Sequence, residues 1–156
     1  MAIKKPLVLT NGQIEQLQST DSITQTELIQ LTNNNASPIV IGTPVYAVGN
    51  DQVDKAKADA VGTTNVIGLV GDSSISASAS GGFVLGGILT ATTTQWDAVA
   101  GTTGGLTKDV IYYLSASTAG QLTSTAPSAA GQFVVQIGIA ISTTELKIEV
   151  QPRIKL

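Results

Sequence analysis

Few of the side chains in this sequence could carry out chemistry, and the usual proton-transfer and nucleophilic groups are missing altogether. The chain has neither histidine nor cysteine. Imidazole catalysis, thiolate chemistry, disulfide stapling and zinc sites of the usual type are therefore excluded. Serine and threonine hydroxyls abound, but no histidine is present to activate them. Lys55, Lys57 and Lys108 are conceivable bases, yet each stands in a polar, wet stretch. Asp51, Asp54 and Asp59 share one segment, and oxygen-rich loops can hold calcium. Their spacing is not that of a twelve-residue calcium loop, and Lys55 and Lys57 sit among the acids. Asp72, in Val70-Gly-Asp-Ser-Ser74, reads as a turn residue that bonds its own backbone. Gly81-Gly82 and Gly86-Gly87 precede no helical pattern, so a phosphate-cradling loop has no support. Inside a strand, Gly86-Gly87 marks a bulge or the close approach of another backbone. These residues assign no catalytic group, no cofactor and no metal, and the expectation is a protein that is not an enzyme.

The elements that surround these residues are those of a β protein. Only 12% of the 156 residues are charged and 4% aromatic, against roughly 25% charged in an average soluble domain. Threonine, valine and isoleucine fill much of the difference, and branched side chains pack well on a pleated surface. Runs of such residues, punctuated by Gly, Asn and Pro, place strands near 26–32, 43–48, 66–70, 82–90, 109–114, 133–141 and 144–151. Glu145, Lys147 and Glu149 alternate with Leu146, Ile148 and Val150, the pattern of a strand buried on one face. No run approaches the roughly 20 apolar residues that span a bilayer. The start of the chain shows no secretory signal either, so synthesis in the cytosol is expected.

The chain echoes itself. Thr43-Pro-Val-Tyr-Ala-Val48 leads through a polar link, Val53 to Ala58, into Val66-Ile-Gly-Leu-Val70. Asp109-Val-Ile-Tyr-Tyr-Leu114 leads through Gln121 to Ala126 into Val135-Gln-Ile-Gly-Ile-Ala-Ile141. One more strand follows each copy. The match sets Tyr46 over Tyr112 and Gly68 over Gly138. The expected fold is a small β-barrel or sandwich of two pseudo-repeated units, about 42–91 and 106–151, within a β domain of residues 23–156. Between the units, Thr94-Gln-Trp-Asp-Ala-Val-Ala100 fits one short helical stretch, capped by Thr92, Thr93 or Thr94 and ended by Gly101. Trp96 within it is expected to plug one end of the barrel, with a partner contact as the competing role.

Residues 1–22 read as an extended arm. Pro6 biases Lys5 towards extended backbone, and Asn11-Gly12 between apolar residues is a strong hairpin signal. Lys4, Lys5, Leu7, Leu9, Ile14 and Leu17 on this arm, together with Trp96, are the candidate partner-binding residues. Charge supports that role. Lys4, Lys5, Arg153 and Lys155 leave the chain ends basic, while residues 15–149 hold eleven acids against four lysines, a net of −7. With a pI near 4.7, the sequence lacks the extended basic patch that phosphate backbones require.

Two stretches resemble virion proteins of tailed bacteriophages. Lys5-Pro-Leu-Val-Leu-Thr-Asn-Gly-Gln-Ile-Glu-Gln-Leu-Gln18 resembles the start of phage tail-fibre and head-associated proteins. Asp109 to Leu114, Ala119 to Thr123, Pro127 and Val134 to Gly138 are similar to a β-rich module of fibre, collar and capsid-decoration proteins. The resemblance implies a non-enzymatic structural component of the virion, made in the host cytoplasm and oligomeric, with a trimer expected. Without a shaft repeat or receptor-binding extension, the chain fits a capsid decoration (cement) protein bound to the major capsid protein. A small tail or fibre-base adaptor is the alternative. A carbohydrate-binding module is a third reading, but Tyr46, Phe83, Tyr112 and Phe133 lie in strand patterns that feed a core. Neither nucleic acid nor membrane is an expected partner.

Overall fold

The computed structural model describes residues 7–10, 13–16 and 27–156. Strands β1 (Leu7–Thr10) and β2 (Gln13–Gln16) form an antiparallel hairpin of their own, with Leu9 the direct cross-strand partner of Ile14. The hairpin is thus present where Asn11-Gly12 places it.

Seven strands make the first half of the body: β3 (Glu27–Asn33), β4 (Ile39–Val40), β5 (Pro44–Gly49), β6 (Gln52–Lys55), β7 (Val66–Val70), β8 (Ser74–Ile75) and β9 (Ser80–Thr90). Five of them close a barrel in the order β9-β3-β6-β5-β7, because β7 pairs back onto β9. All its ladders are antiparallel except β3 with β6. Leu31, Val45, Val53, Val70 and Phe83 fill the interior, and Ile39 and Ile75 of the small β4–β8 ladder close one end. Asn33 secures that end. It is fully buried, and its amide donates to the carbonyls of Ser37, Ile75 and Ser76 at 3.1 Å each. Its oxygen accepts from the Asn35 amide at 2.9 Å. A buried amide with every group paired specifies its position without a desolvation penalty, so the asparagine run both ends β3 and anchors the cap.

After β9 comes the only α-helix among the described residues, α1 (Thr93–Ala100); a single 3-10 turn, Val61–Thr63, precedes β7. The second half then follows as β10 (Ile111–Leu114), β11 (Leu122–Thr123), β12 (Phe133–Val134), β13 (Gln136–Ala140), β14 (Glu145–Ile148) and β15 (Ile154–Lys155). The fold is all-β.

The two halves share one strand order. β6-β5-β7-β9 in the first corresponds to β11-β10-β13-β14 in the second. The registers correspond as well. Val45 pairs with Gly68 and Tyr46 with Val66, so Ile67 is bulged out. Tyr112 pairs with Gly138 and Tyr113 with Gln136, so Ile137 is bulged out. By register, then, Tyr46 corresponds to Tyr113, and Tyr112 takes the place of Val45. The match of tyrosine to tyrosine is off by one residue, which in a strand exchanges the two faces. Val45 and Tyr112 are both fully buried, while Tyr46 and Tyr113 are partly exposed.

The halves join twice. Residues 87–90 of β9 pair with β14. The chain leaving β6 also crosses over: Gly120 donates to the Ala56 carbonyl, Ala58 to that of Ser115, and Phe133 to that of Ala58. Between the halves lies the larger core, to which Leu69 and Val84 contribute from the outside of the barrel wall. Their neighbours Val70 and Phe83 point into the barrel. This wall is buried on both faces, which is why Val66 to Val70 reads as a nearly continuous apolar run.

Candidate interaction surface

Most of the aspartates that the sequence offers for chemistry hold loops in place. Asp51, at positive φ, turns the chain between β5 and β6, and its carbonyl accepts from the Thr32 amide at 2.7 Å. Asp54 accepts from the Asn35 side chain and from the Lys55 amide, both at 2.7 Å. Asp59 pairs with Lys57 at 2.7 Å and accepts from the Thr63 hydroxyl. The Lys57 contact holds the Asp59 carboxyl below its ordinary range. The three aspartates therefore do not converge, and among the described residues no cluster of three acids has metal-binding geometry. Asp72 does not bond its own turn as expected. It reaches across to β9 and accepts from the Gly82 amide at 2.7 Å. The Gly86-Gly87 pair does mark an irregularity: the β3–β9 register shifts there, and Gly87 has a φ of +95°.

Around α1 the carboxylate of Asp97 organises a whole loop. Thr92 and Gln95 form a reciprocal capping box at the helix start, and Gly101, with φ +63°, ends it in the left-handed conformation. The Asp97 carboxylate then accepts from Gly105 and Gly104 amides at 2.8 and 3.1 Å and from the Thr102 hydroxyl at 2.9 Å. These bonds, that from Gly105 foremost, hold its pKa below the usual value. Two of the clefts on the described surface bear on chemistry. One of about 280 Å³ lies between residues 64–67 and 150–153, with Arg153 its one ionisable side chain. The other, of about 230 Å³, has only Lys55. A single cation in each provides no acid–base pair.

Of the candidate partner residues, Lys4, Lys5 and Leu17 lie outside the described residues. Leu7, Leu9 and Ile14 stand on the hairpin. Trp96 is corrected: it is fully buried, so it presents no surface to a partner. Nor does it sit inside the barrel. Its ring packs in the core between the halves, where a Cβ on Gly42 would come within 2.7 Å of it, and its indole N–H donates to the Thr144 carbonyl at 3.0 Å. A large apolar ring with one donor fits a core position that supplies one acceptor.

The exposed apolar side chains are elsewhere. Leu28 is 66% and Ile154 63% exposed, the highest values among the described large aliphatic residues, and Val61 and Leu156 follow. Both extremes stand on sheet edges. β6 meets β3 only at Thr32 and Asn33, so residues 27–31 pair with β9 alone among the described strands. β15 likewise pairs only with β12. One signal for Leu28 was present in the sequence. Leu28 and Ile29 are adjacent, and in a strand adjacent residues face opposite ways, so a one-face core leaves at least one of them outside; here both are exposed, Leu28 the more.

Compared with protein-family models and with curated proteins, the chain matches none.

Proposed function

We propose that this chain is a non-enzymatic structural protein of a tailed bacteriophage particle: a decoration protein that binds the assembled head as a homo-oligomer, a trimer in the simplest case. One observation supports it above the others. Asp54, Asp59, Asp72, Asp97 and Lys57 are engaged in turns and loop clamps, whereas large aliphatic side chains stand exposed on strand edges. Edges of that kind recruit other chains, because unpaired backbone groups and apolar surface are satisfied together. The resemblance of residues 5–18 and 109–138 to virion proteins supplies the location, and the hairpin at the start of the chain supplies an arm for the shell or a neighbouring subunit.

The test is a mixing experiment. Purified chain is added to head particles that lack it, and the particles are imaged by electron cryomicroscopy. Hundreds of copies at regular shell positions are expected. A handful of copies at the tail would establish the adaptor role instead, and no binding to any part of the particle would overturn a virion role.

A further inference from the structure

We infer that copies of this chain join head to tail, with the edge of β15 from one copy adding to the free edge of β3 on the next. The inference rests on the assembly reading above only for the premise that the chain self-associates. Both edges have a ladder partner on one side alone among the described residues, and both carry the most exposed aliphatic side chains. Their charges are complementary. β15 and its flanks read Arg153-Ile154-Lys155-Leu156 with no acid, and the β3 edge opens Glu27-Leu28-Ile29 with no base.

On the open edge Leu28 turns its backbone groups outward, as Thr32 does towards β6, whereas Ile154 turns its own towards β12, so the two strands add in a parallel ladder centred on Leu28 and Ile154, with Arg153 beside Glu27. Cross-strand pairs of both kinds, aliphatic with aliphatic and acid with base, stabilise a sheet. Self-pairing is the poorer choice. Two β15 strands paired about Ile154 would set Arg153 opposite Lys155, and two β3 edges would gain no ion pair. Different patches on the two partners make a heterologous interface, which closes into a ring when the rotation permits. A small ring is the expected product.

The absence of cysteine makes the test direct. Leu28→Cys and Ile154→Cys are made separately in the full-length chain, mixed and gently oxidised. Their exposure makes both substitutions compatible with the fold. A disulfide between the two different variants is the expected product. Homodimers of either variant alone, or no cross-link in a mixture that sediments as oligomers, would overturn the interface, as would a chain that stays monomeric at high concentration. Charge exchange gives a second readout that leaves the aliphatic residues alone. Glu27→Lys or Arg153→Glu should each weaken association on the order of threefold to tenfold, and the double exchange should regain it. If the double variant is as weak as the singles, the pairing is wrong. Particle binding that persists without the cross-link sinks this interface and spares the decoration role. A cross-linked ring that ignores the particle does the reverse.

Discussion

Gly68 and Gly138 hold the same position in the two corresponding four-strand runs, each pressed against a backbone carbonyl of the next strand. A Cβ on Gly68 would meet the Val84 oxygen at 2.5 Å, and one on Gly138 would collide with the Lys147 oxygen. Val84 pairs with Leu69 and Lys147 with Ile139, so even the obstructing carbonyls correspond.

Gly68→Ala and Gly138→Ala should therefore each destabilise the fold by about 1–3 kcal/mol, since the obstacle is backbone and cannot swing away. Gly62→Ala, where a Cβ would meet nothing within 4 Å, is the control and should change little. Chemical denaturation of the three variants checks the contrast. Equal effects would remove the argument from close approach.

Trp96 is the only tryptophan, which makes its environment easy to read. Its emission should be blue-shifted, poorly quenched by acrylamide, and unchanged when the chain assembles or binds a particle. Trp96→Ala should cost about 3–5 kcal/mol through the cavity it leaves. A spectral shift on assembly would return this residue to the interface.

Acid should loosen the loop that Asp97 holds. Its pKa is depressed by the Gly105 amide first and by Thr102 and Gly104 after it. The stabilising contribution is thus complete above the ordinary carboxylate pKa of about 4 and is lost as pH falls through the lower folded value. Asp59, lowered by Lys57, acts in the same direction. In melting curves between pH 7 and pH 3, Asp97→Asn should be less stable at neutral pH and lose less on acidification. A parallel loss in wild type and variant would show that the carboxylate is not the titrating group.

The helix cap offers a smaller effect. Thr92→Ala removes both the acceptor for the Gln95 amide and the partner of the Gln95 side chain, at a cost of about 1 kcal/mol. Thr92→Ser should restore most of it, and a thermal melt distinguishes the two.

Deletion of residues 1–18 should leave the body folded, because the closed barrel and both cores are built from residues 27–148. Assembly or particle occupancy should fall. A deletion variant that unfolds, or one that still decorates at full occupancy, would assign the arm a different role.

Much of this architecture was legible because branched residues crowd the strands that are long enough to show a period. The helix was legible from Thr92 and Gly101, whose cap chemistry is local. β6 was not, and its residues read as a polar link. Val53 is its only fully buried side chain, and the strand exists through pairing with β5 and β3, partners set by the closed barrel. The two-residue ladders of β4, β8, β11, β12 and β15 are too short for any pattern. The tyrosine mismatch arose because a bulge leaves composition unchanged while altering register. Trp96 was ambiguous since an indole serves cores and interfaces equally well, and only the position of Gly42 and Thr144 decides. The exposed edges at Leu28 and Ile154 depend on where neighbouring strands stop, which is a property of the finished sheet.

β9 has a consequence for how the molecule comes apart. Its residues 80–86 bond β3, residues 83 and 84 also bond β7, and residues 87–90 bond β14. Removing it would open the barrel and detach the second sheet in one event. Local opening that spares one half has no route through this strand, so its central amides should exchange with solvent only as fast as the whole chain unfolds. A protein with such a strand would respond to heat or tension by holding intact until it fails completely, with no softened intermediate for a protease to find.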